Sequence, residues 1–282
     1  MDYLGMRLTG RKTPLIHAGN AASLGLFDME KGCFLTDIIR GLNGDERILP
    51  DVTCRMELLG SYRDVPVSVA IGDNQASFLG AVNEIEDTLL VNVGTGSQIS
   101  VFSKKYCSIE GIETRPFIEN DYLLVGSSLC GGRAYALLEQ FFRSYAKALG
   151  QEDSSQYEIM NNLLSEKAEK TEKLKVTTTF SGTRENPEKR GVISNISTEN
   201  FTPTALIEGV LEGMAEELYD MYTLIKPYLE KPLQEMTASG NGIRKNSCLQ
   251  KIVSEYFHLP LNLSVRREEA ACGAALSGIL AD

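Results

Sequence analysis

Two kinds of apolar pattern alternate along this chain of 282 residues. On either side of Gly94-Thr95-Gly96, residues 88–93 and 97–102 are rich in β-prone side chains, which predicts two strands joined by a tight turn. From residue 206 to residue 225, apolar side chains recur at helical spacing, and Thr202-Pro203 before them supplies an N-cap and a first-turn proline. Because strands and helices alternate, the sequence predicts an α/β protein.

Shorter segments complete this prediction. Residues 1–9 resemble the end of a helix closed by Gly10, and residues 66–71 are predicted to form a buried strand that ends at Gly72-Asp73. Further strands are predicted at residues 122–125, 177–180, 235–238 and 261–265, and further helices at residues 76–82, 134–149, 246–257 and 268–281. The lysine- and glutamate-rich run at residues 165–175 is predicted to be a solvated helix.

Composition and charge exclude several classes of function. The net charge of -10 is opposite to what a nucleic-acid surface needs, so no nucleic-acid partner is expected. No apolar run approaches the ~20 residues of a membrane span, and the first residues lack a signal-peptide pattern, so we expect no membrane partner and a cytoplasmic location. The cysteines are scattered and His17 lies far from His258, so no metal-ligating cluster is predicted.

Asp73 is the first candidate for chemistry. It follows an apolar run and Gly72, and a carboxylate at a strand end can accept a proton from an alcohol. The plainer alternative is that Asp73 is a helix N-cap, a position that aspartate favours. Asn74 beside it is either a surface amide or a hydrogen-bonding group for a polyol.

Three glycine-containing segments are candidates for phosphate or nucleotide binding. Gly94-Thr95-Gly96 can bring backbone N–H groups and a hydroxyl close to a phosphate, although it also fits a plain hairpin turn. Gly131-Gly132 before a helix fits either anion binding at a helix N-terminus or a simple turn. Gly240-Asn241-Gly242 followed by Asn246 is either a ligand loop or a loop with a capping asparagine. The Rossmann and Walker patterns are both absent from the sequence.

The order of these candidates, with several further segments, resembles the FGGY family of carbohydrate kinases. The segments that carry the resemblance are residues 72–76, 92–97, 131–132, 180–184, 211–214, 240–246 and 269–275. The resemblance implies an actin-like, hexokinase-like ATPase fold of the ribonuclease H-like type. It covers most of the chain, and within the family it is greatest to kinases of sedoheptulose, followed by kinases of xylulose and other pentuloses.

The resemblance also implies roles for individual residues. Asp73 matches the catalytic base that takes a proton from a sugar hydroxyl, and Asn74 matches a position beside the sugar. The residues that match the nucleotide-binding elements are Gly94, Thr95, Gly96, Gly131, Gly132, Gly242 and Asn246. Arg184 matches a motif position to which we assign a structural role. The family implies ATP and Mg²⁺ as cofactors and a small sugar as substrate.

The chain departs from the family pattern at its start. The D-x-G-T phosphate loop of the family's first actin-like domain is absent from this sequence. We therefore expect residues 1–84 to be a remnant of that domain, which carries Asp73, and residues 85–282 to be the complete nucleotide-binding domain. Two hypotheses follow: ATP-dependent phosphorylation of a ketose at a primary hydroxyl, with sedoheptulose ahead of xylulose, or a non-catalytic nucleotide-binding remnant. An exposed apolar cleft face would favour a homodimer.

Overall fold

The computed structural model describes residues 1–165 and 173–281, so most of the predicted solvated helix lies outside the described residues. The helices α1 to α10 are, in chain order, Asp2–Thr9, Ala18–Ala21, Thr36–Gly41, Asp73–Ala81, Gly131–Ala148, Tyr157–Ser165, Pro203–Ile225, Asn241–Arg244, Ser247–Phe257 and Glu269–Leu280. The strands β1 to β14 are Leu15–His17, Phe27–Asp28, Cys33–Phe34, Asp51–Thr53, Leu58–Tyr62, Val65–Ser68, Thr88–Val93, Ser97–Ser103, Glu113–Pro116, Tyr122–Ser128, Lys175–Thr177, Val192–Ser194, Glu235–Ser239 and Leu261–Leu263.

A mixed sheet of six strands forms the centre of the molecule, in the order β14-β13-β7-β8-β10-β9. Strands β7, β8, β10 and β9 pair antiparallel, whereas β13 pairs parallel with both β7 and β14. Val93 lies opposite Ser97, which confirms the predicted hairpin with Gly94-Thr95-Gly96 at its tip. Because a parallel pair needs a crossover, the chain reaches β13 and β14 through helices.

Helices cover both faces of this sheet. On one face, the predicted apolar stripe of α7 is buried against the sheet and α9, with Leu211 and Leu218 fully enclosed. The Thr202 hydroxyl accepts a hydrogen bond from the backbone N–H of Ala205 at 3.2 Å, so the predicted N-cap of α7 is confirmed. On the other face, Phe78 of α4 packs in a second apolar cluster with the sheet, and α10 contributes to the same cluster. The observed layers confirm the α/β class.

Helices α4 and α10 cross at very close range. A Cβ atom on Gly80 would overlap the carbonyl oxygen of Glu269, and one on Gly273 would overlap the carbonyl oxygen of Ala76. Arg266 supports the crossing by donating from Nη1 to the carbonyl oxygen of Gly80 at 2.8 Å. The small residues predicted at 268–281 therefore allow the two backbones to approach each other.

Residues 1–72 form short elements beside the central sheet. Strand β1 pairs parallel with β4, and α1 ends at Gly10, whose φ of 72° is left-handed as the sequence predicted. The buried strand predicted at residues 66–71 is observed only at residues 66–68, where it is not buried. Strand β6 forms an exposed hairpin with β5, and the chain then continues without strand pairing through Val69 and Ile71. These two side chains are buried in a small cluster, so burial alone produced the strand-like pattern.

Candidate functional site

A cavity of about 780 Å³ opens where the β7–β8 hairpin, the start of α5 and the loop before α8 meet. Glycines, which expose only backbone, form much of one side of this cavity. The sequence-predicted residues that line this cavity are Gly94, Thr95, Gly132, Gly242 and Asn246. The structure therefore brings together residues that are more than 150 positions apart in the sequence.

Glycines allow the hairpin tip and α5 to touch. The backbone N–H of Gly132 donates to the carbonyl oxygen of Gly94 at 2.9 Å, and that of Arg133 donates to Thr95 at 3.0 Å. A Cβ atom on Gly131 would overlap the backbone of Gly96, so this pair lies in close contact behind the cavity wall rather than lining it. Two of the first N–H groups of α5 are thus already used, and the wall of the cavity is formed by packed backbone rather than by an open helix N-terminus.

The loop before α8 is held against the same hairpin. Gly240 has a φ of 86°, and a Cβ atom there or on Gly242 would crowd the carbonyl oxygen of Val93. Asn246 follows the loop, and its Oδ1 accepts from the backbone N–H of Leu249 at 2.9 Å, so the capping interpretation of this residue is confirmed. Its Nδ2 is buried and has no hydrogen-bond partner among the described residues. Asn246 therefore caps α9 and places its Nδ2 beside the cavity, next to the Tyr135 hydroxyl.

Aromatic and apolar side chains form the opposite wall, and the sequence did not reveal them as a group. Tyr135 and Tyr157 stack with ring centroids 5.7 Å apart, and the Tyr135 hydroxyl donates to Oδ1 of Asn161 at 2.8 Å. Burial raises the pKa of Tyr135, which keeps this hydroxyl protonated as a donor. Leu211 and Met214 of α7, both almost completely buried, form the apolar base of the cavity. A cavity with this wall can accept a flat ring together with a polar tail.

Asp73 lies in a second cavity, of about 730 Å³. It is the first residue of α4, and Gly72 is the N-cap, so the interpretation of Asp73 as the N-cap is wrong. Its carboxylate is exposed, and Oδ1 accepts from the backbone N–H of Asn74 at 2.7 Å. Asn74 lines the same cavity, and its Oδ1 is buried without a hydrogen-bond partner among the described residues. Arg115 also lines this cavity, and no sequence pattern indicated it.

Hydrogen bonds between distant segments hold Asp73 in place. Asn20 donates from Nδ2 to the carbonyl oxygen of Ala70 at 2.8 Å, which fixes the unpaired chain before α4. Gln75 donates from Nε2 to the carbonyl oxygen of Pro116 at 2.9 Å, which ties the first turn of α4 to β9. The Asp73 cavity is therefore built jointly by residues 1–75 and by an edge strand of the central sheet.

The residues that the structure describes contain neither a metal-ligating cluster nor a helix that could cross a membrane. In the part of the chain that the structure describes, His, Cys, Asp and Glu side chains form no group of three or more that could hold a metal ion. Each helix within residues 1–165 and 173–281 is too short or too polar to cross a membrane. The six cysteines are all free thiols.

Comparison with known proteins identifies relatives along the whole chain. Residues 89–281 match the C-terminal domain of the FGGY family of carbohydrate kinases. The chain is 24% identical to human sedoheptulokinase over 292 residues, which cover 98% of this chain and 60% of that enzyme. It is also 24% identical to glycerol kinase of Bacillus cereus strain G9842, covering 99% of this chain and 57% of that enzyme.

Solved structures show the same fold. Xylulose kinase from Rhodospirillum rubrum superposes with a TM-score of 0.86 at 20% identity, over 99% of this chain and 57% of that one. Plasmodium falciparum glycerol kinase with ADP gives a TM-score of 0.79 at 18% identity, over 99% and 57%.

These likenesses confirm the expected actin-like ATPase fold. The chain spans about three-fifths of the length of the curated relatives that it matches. Because the family's C-terminal domain matches residues 89–281, well over half of the sequence, the chain belongs to the FGGY family of carbohydrate kinases.

Proposed function

We propose that this chain carries the nucleotide site and the catalytic base of an ATP-dependent kinase that phosphorylates a primary hydroxyl of a ketose. One observation carries the proposal: the exposed carboxylate of Asp73 opens into a cavity of its own, and a separate cavity suits a nucleotide. We divide the chain accordingly, with residues 1–84 on the acceptor side and residues 85–282 on the nucleotide side.

The nucleotide is proposed to lie along the glycine-lined wall. Gly94, Thr95 and Gly132 line the cavity near the hairpin tip, where the backbone N–H and the hydroxyl of Thr95 suit phosphate oxygens. Gly242 and Asn246 line its other part, where the Nδ2 of Asn246 suits a polar atom of the nucleoside. Gly96 and Gly131 contribute by letting the hairpin and α5 pack closely.

Mg²⁺ is proposed to arrive on the nucleotide. Mg²⁺ in phosphoryl-transfer sites usually keeps several waters and binds one or two carboxylates plus substrate phosphates. The ion supplies charge neutralisation for the transferred phosphoryl group.

Asp73 is proposed to act as the general base. The acceptor hydroxyl gives its proton to the Asp73 carboxylate while its oxygen forms a bond to the γ-phosphorus and the bond to ADP breaks. Asn74, with its buried and unpartnered Oδ1, lies where it can accept a hydrogen bond from a second hydroxyl of the acceptor. The products are a sugar phosphate, ADP and a proton.

Sedoheptulose is our first choice of acceptor and D-xylulose the second. The names of the relatives support both, since a sedoheptulokinase is among the curated relatives and xylulose kinases are among the structural ones. A coupled ADP-release assay with sedoheptulose, D-xylulose and glycerol tests the proposal. We expect turnover to be highest with sedoheptulose. Higher turnover with D-xylulose would reassign the acceptor, and no turnover with any of the three would reject kinase activity for this chain.

A non-catalytic nucleotide-binding protein is the second candidate. It is favoured by one observation: the Asp73 carboxylate is exposed rather than enclosed. Isothermal titration with ATP and Mg²⁺ separates the two candidates. Binding of ATP without turnover of any of the three acceptors would support this second candidate, whereas sugar-dependent release of ADP would exclude it.

A further inference from the structure

Arg115 lies on β9, at the edge of the central sheet, and lines the same cavity as Asp73 and Asn74. Its Nε and Nη2 both donate to Oε2 of Glu113, at 3.0 and 2.7 Å. Among the described residues its guanidinium makes no other hydrogen bond, so most of its five N–H donors have no protein acceptor. The side chain is 26% exposed, so these donors belong to a largely enclosed group.

Glu113 is itself held from the other side. Its Oε1 forms an ion pair with Nη1 of Arg184, which lies in the segment 180–184 that resembles a family motif. A row of charges therefore runs from Arg184 through Glu113 to Arg115 and ends in the Asp73 cavity. Arg184 holds the Glu113 carboxylate in place, and this carboxylate orients the Arg115 guanidinium.

The charge of Asp73 acts on Arg115 although the two side chains form no ion pair. Burial lowers the pKa of Arg115, and the negative charge of Asp73 acts in the opposite direction. Arginine remains protonated in proteins, so the guanidinium keeps its charge. Within residues 1–165 and 173–281 no ion pair joins the two side chains. Two opposite charges thus border one cavity and leave space between them for a polar ligand.

We propose that Arg115 is a substrate-contacting residue of the acceptor site, whose free N–H groups donate to an oxygen of the polyol beside the hydroxyl that Asp73 deprotonates. Glu113 and Arg184 are positioning residues that act through Arg115. This inference rests on the proposed function and deepens it, because it assigns an acceptor contact to the nucleotide side of the chain. The ligand class is a neutral polyol or ketose with oxygens on adjacent carbons.

The chemistry of the cavity favours a neutral polyol over an anionic acceptor. Glu113 and Asp73 both contribute negative charge, and Arg115 compensates for one of them. Arg115 lies outside the residues that line the nucleotide cavity, so its donors are directed to the acceptor rather than to the nucleoside. A hydrogen bond from a charged donor is worth more than a neutral one, which makes this contact a determinant of acceptor affinity.

The test is the split between KM and kcat in Arg115→Met. We expect the KM for sedoheptulose or D-xylulose to rise by ~10-fold to ~100-fold, with kcat and the KM for ATP within about threefold of wild type. Isothermal titration of each sugar without nucleotide should show the same loss. Arg115→Lys should recover part of the affinity, because it restores the charge but not the forked geometry. Glu113→Gln should raise the sugar KM by a smaller factor.

Arg47→Met is the matched control, because Arg47 also forms an ion pair with a neighbouring carboxylate but lies on an exposed surface away from both cavities. It should leave both KM values unchanged. Thermal unfolding checks that Arg115→Met folds, and Arg115→Lys serves as the test if it does not. A sugar KM within twofold of wild type in the folded variant would overturn the role of Arg115 while leaving kinase activity intact. A wild-type chain that neither binds nor phosphorylates these sugars would overturn the proposed function together with this inference.

Discussion

The nucleotide-side cavity and the Asp73 cavity differ in how their walls are made. On the nucleotide side, backbone at Gly94, Gly132 and Gly242 forms the wall, and all three glycines belong to one unit of sheet and helices. Around Asp73, the wall consists mostly of side chains from four separate parts of the chain, Met1 and residues 19–29, 72–75 and 113–116. The first site depends on close packing, and the second on long-range hydrogen bonds. Their responses to mutation should therefore differ.

The difference extends to how each site is anchored. The nucleotide side adjoins the largest apolar cluster, to which Leu211 and Met214 contribute from the cavity wall. On the acceptor side, α4 packs on the sheet through Phe78, whereas the segments that line the Asp73 cavity are also held to the sheet by polar contacts, such as the hydrogen bond from the Tyr122 hydroxyl to the carbonyl oxygen of Met29 at 2.9 Å. Such contacts each contribute about 1 kcal/mol, so the acceptor side can be disturbed without unfolding the sheet.

The largest expected effect is a loss of turnover in Asp73→Asn that leaves nucleotide binding unchanged. Asp73→Asn keeps the size of the side chain but removes the base, so we expect kcat to fall by ~10²-fold to ~10⁴-fold. Because Asp73 lies outside the nucleotide cavity, the dissociation constant for ATP should stay within about twofold of wild type. Steady-state kinetics and isothermal titration measure the two quantities.

Asp64→Asn is the matched control for this change. Asp64 is in the turn between β5 and β6 with a φ of 65°, a conformation that asparagine also adopts readily. This variant removes one carboxylate from the same part of the chain and should keep wild-type kcat. Equal turnover in Asp73→Asn and wild type would reject Asp73 as the base.

The second prediction concerns the close crossing of α4 and α10, which joins the acceptor side to the nucleotide side. In Gly273→Ala the new methyl group would overlap the carbonyl oxygen of Ala76 and force α4 and α10 apart. We expect a loss of about 3 kcal/mol in the free energy of unfolding, at the upper end of typical overpacking costs. Gly278→Ala is the control on the same helix, because the nearest atom to its Cβ is the Ser68 hydroxyl at 3.7 Å. Similar urea midpoints for the two variants would contradict the close crossing.

The third prediction concerns pH and the acceptor side alone. His17 is fully buried, and burial lowers its pKa to about 4 from 6.5, while Nδ1 accepts from the backbone N–H of Gly19 at 3.2 Å. Between these two values the unfolded chain binds a proton that the folded chain does not. Stability from this group is therefore complete above pH 6.5 and is lost as the pH falls toward 4.

The size of this effect follows from the same two pKa values. Between pH 7 and pH 5 the free energy of unfolding should fall by about 2 kcal/mol because of His17. The measurement is the change in urea midpoint between pH 7 and pH 5, in wild type and in His17→Asn. The variant should lose the part of this change that His17 causes. His258→Asn, at an exposed position with a φ of 53°, should keep it. An unchanged pH dependence in His17→Asn would refute this assignment.

Local patterns were sufficient to predict most of the fold around the nucleotide side. The hairpin at Gly94-Thr95-Gly96, the N-cap at Thr202 and the cap at Asn246 each depend on a few neighbouring residues, and all three are confirmed. The strand predicted before Asp73 is observed only as far as Ser68, because Val69 and Ile71 are buried by distant segments rather than by strand pairing, which no local pattern shows. Arg115 was missed for the same reason: its place beside Asp73 results from tertiary packing.

The smallest expected effect tests the backbone wall of the nucleotide cavity. In Gly132→Ala the methyl group would overlap the carbonyl oxygen of Gly94, so the hairpin tip must move away from α5. We expect the dissociation constant for ATP to rise about tenfold, which corresponds to about 1.4 kcal/mol, with no change in sugar affinity. Gly41→Ala adds the same methyl group where no atom lies within 4 Å, and it should leave ATP affinity unchanged in isothermal titration. If Gly132→Ala binds ATP as tightly as Gly41→Ala does, the wall tolerates displacement of the hairpin and the proposed phosphate contacts near Gly94 and Thr95 are wrong. If it weakens sugar and ATP binding alike, the two cavities are coupled through the sheet, and the contrast between a packed and a hydrogen-bonded site no longer separates their functions.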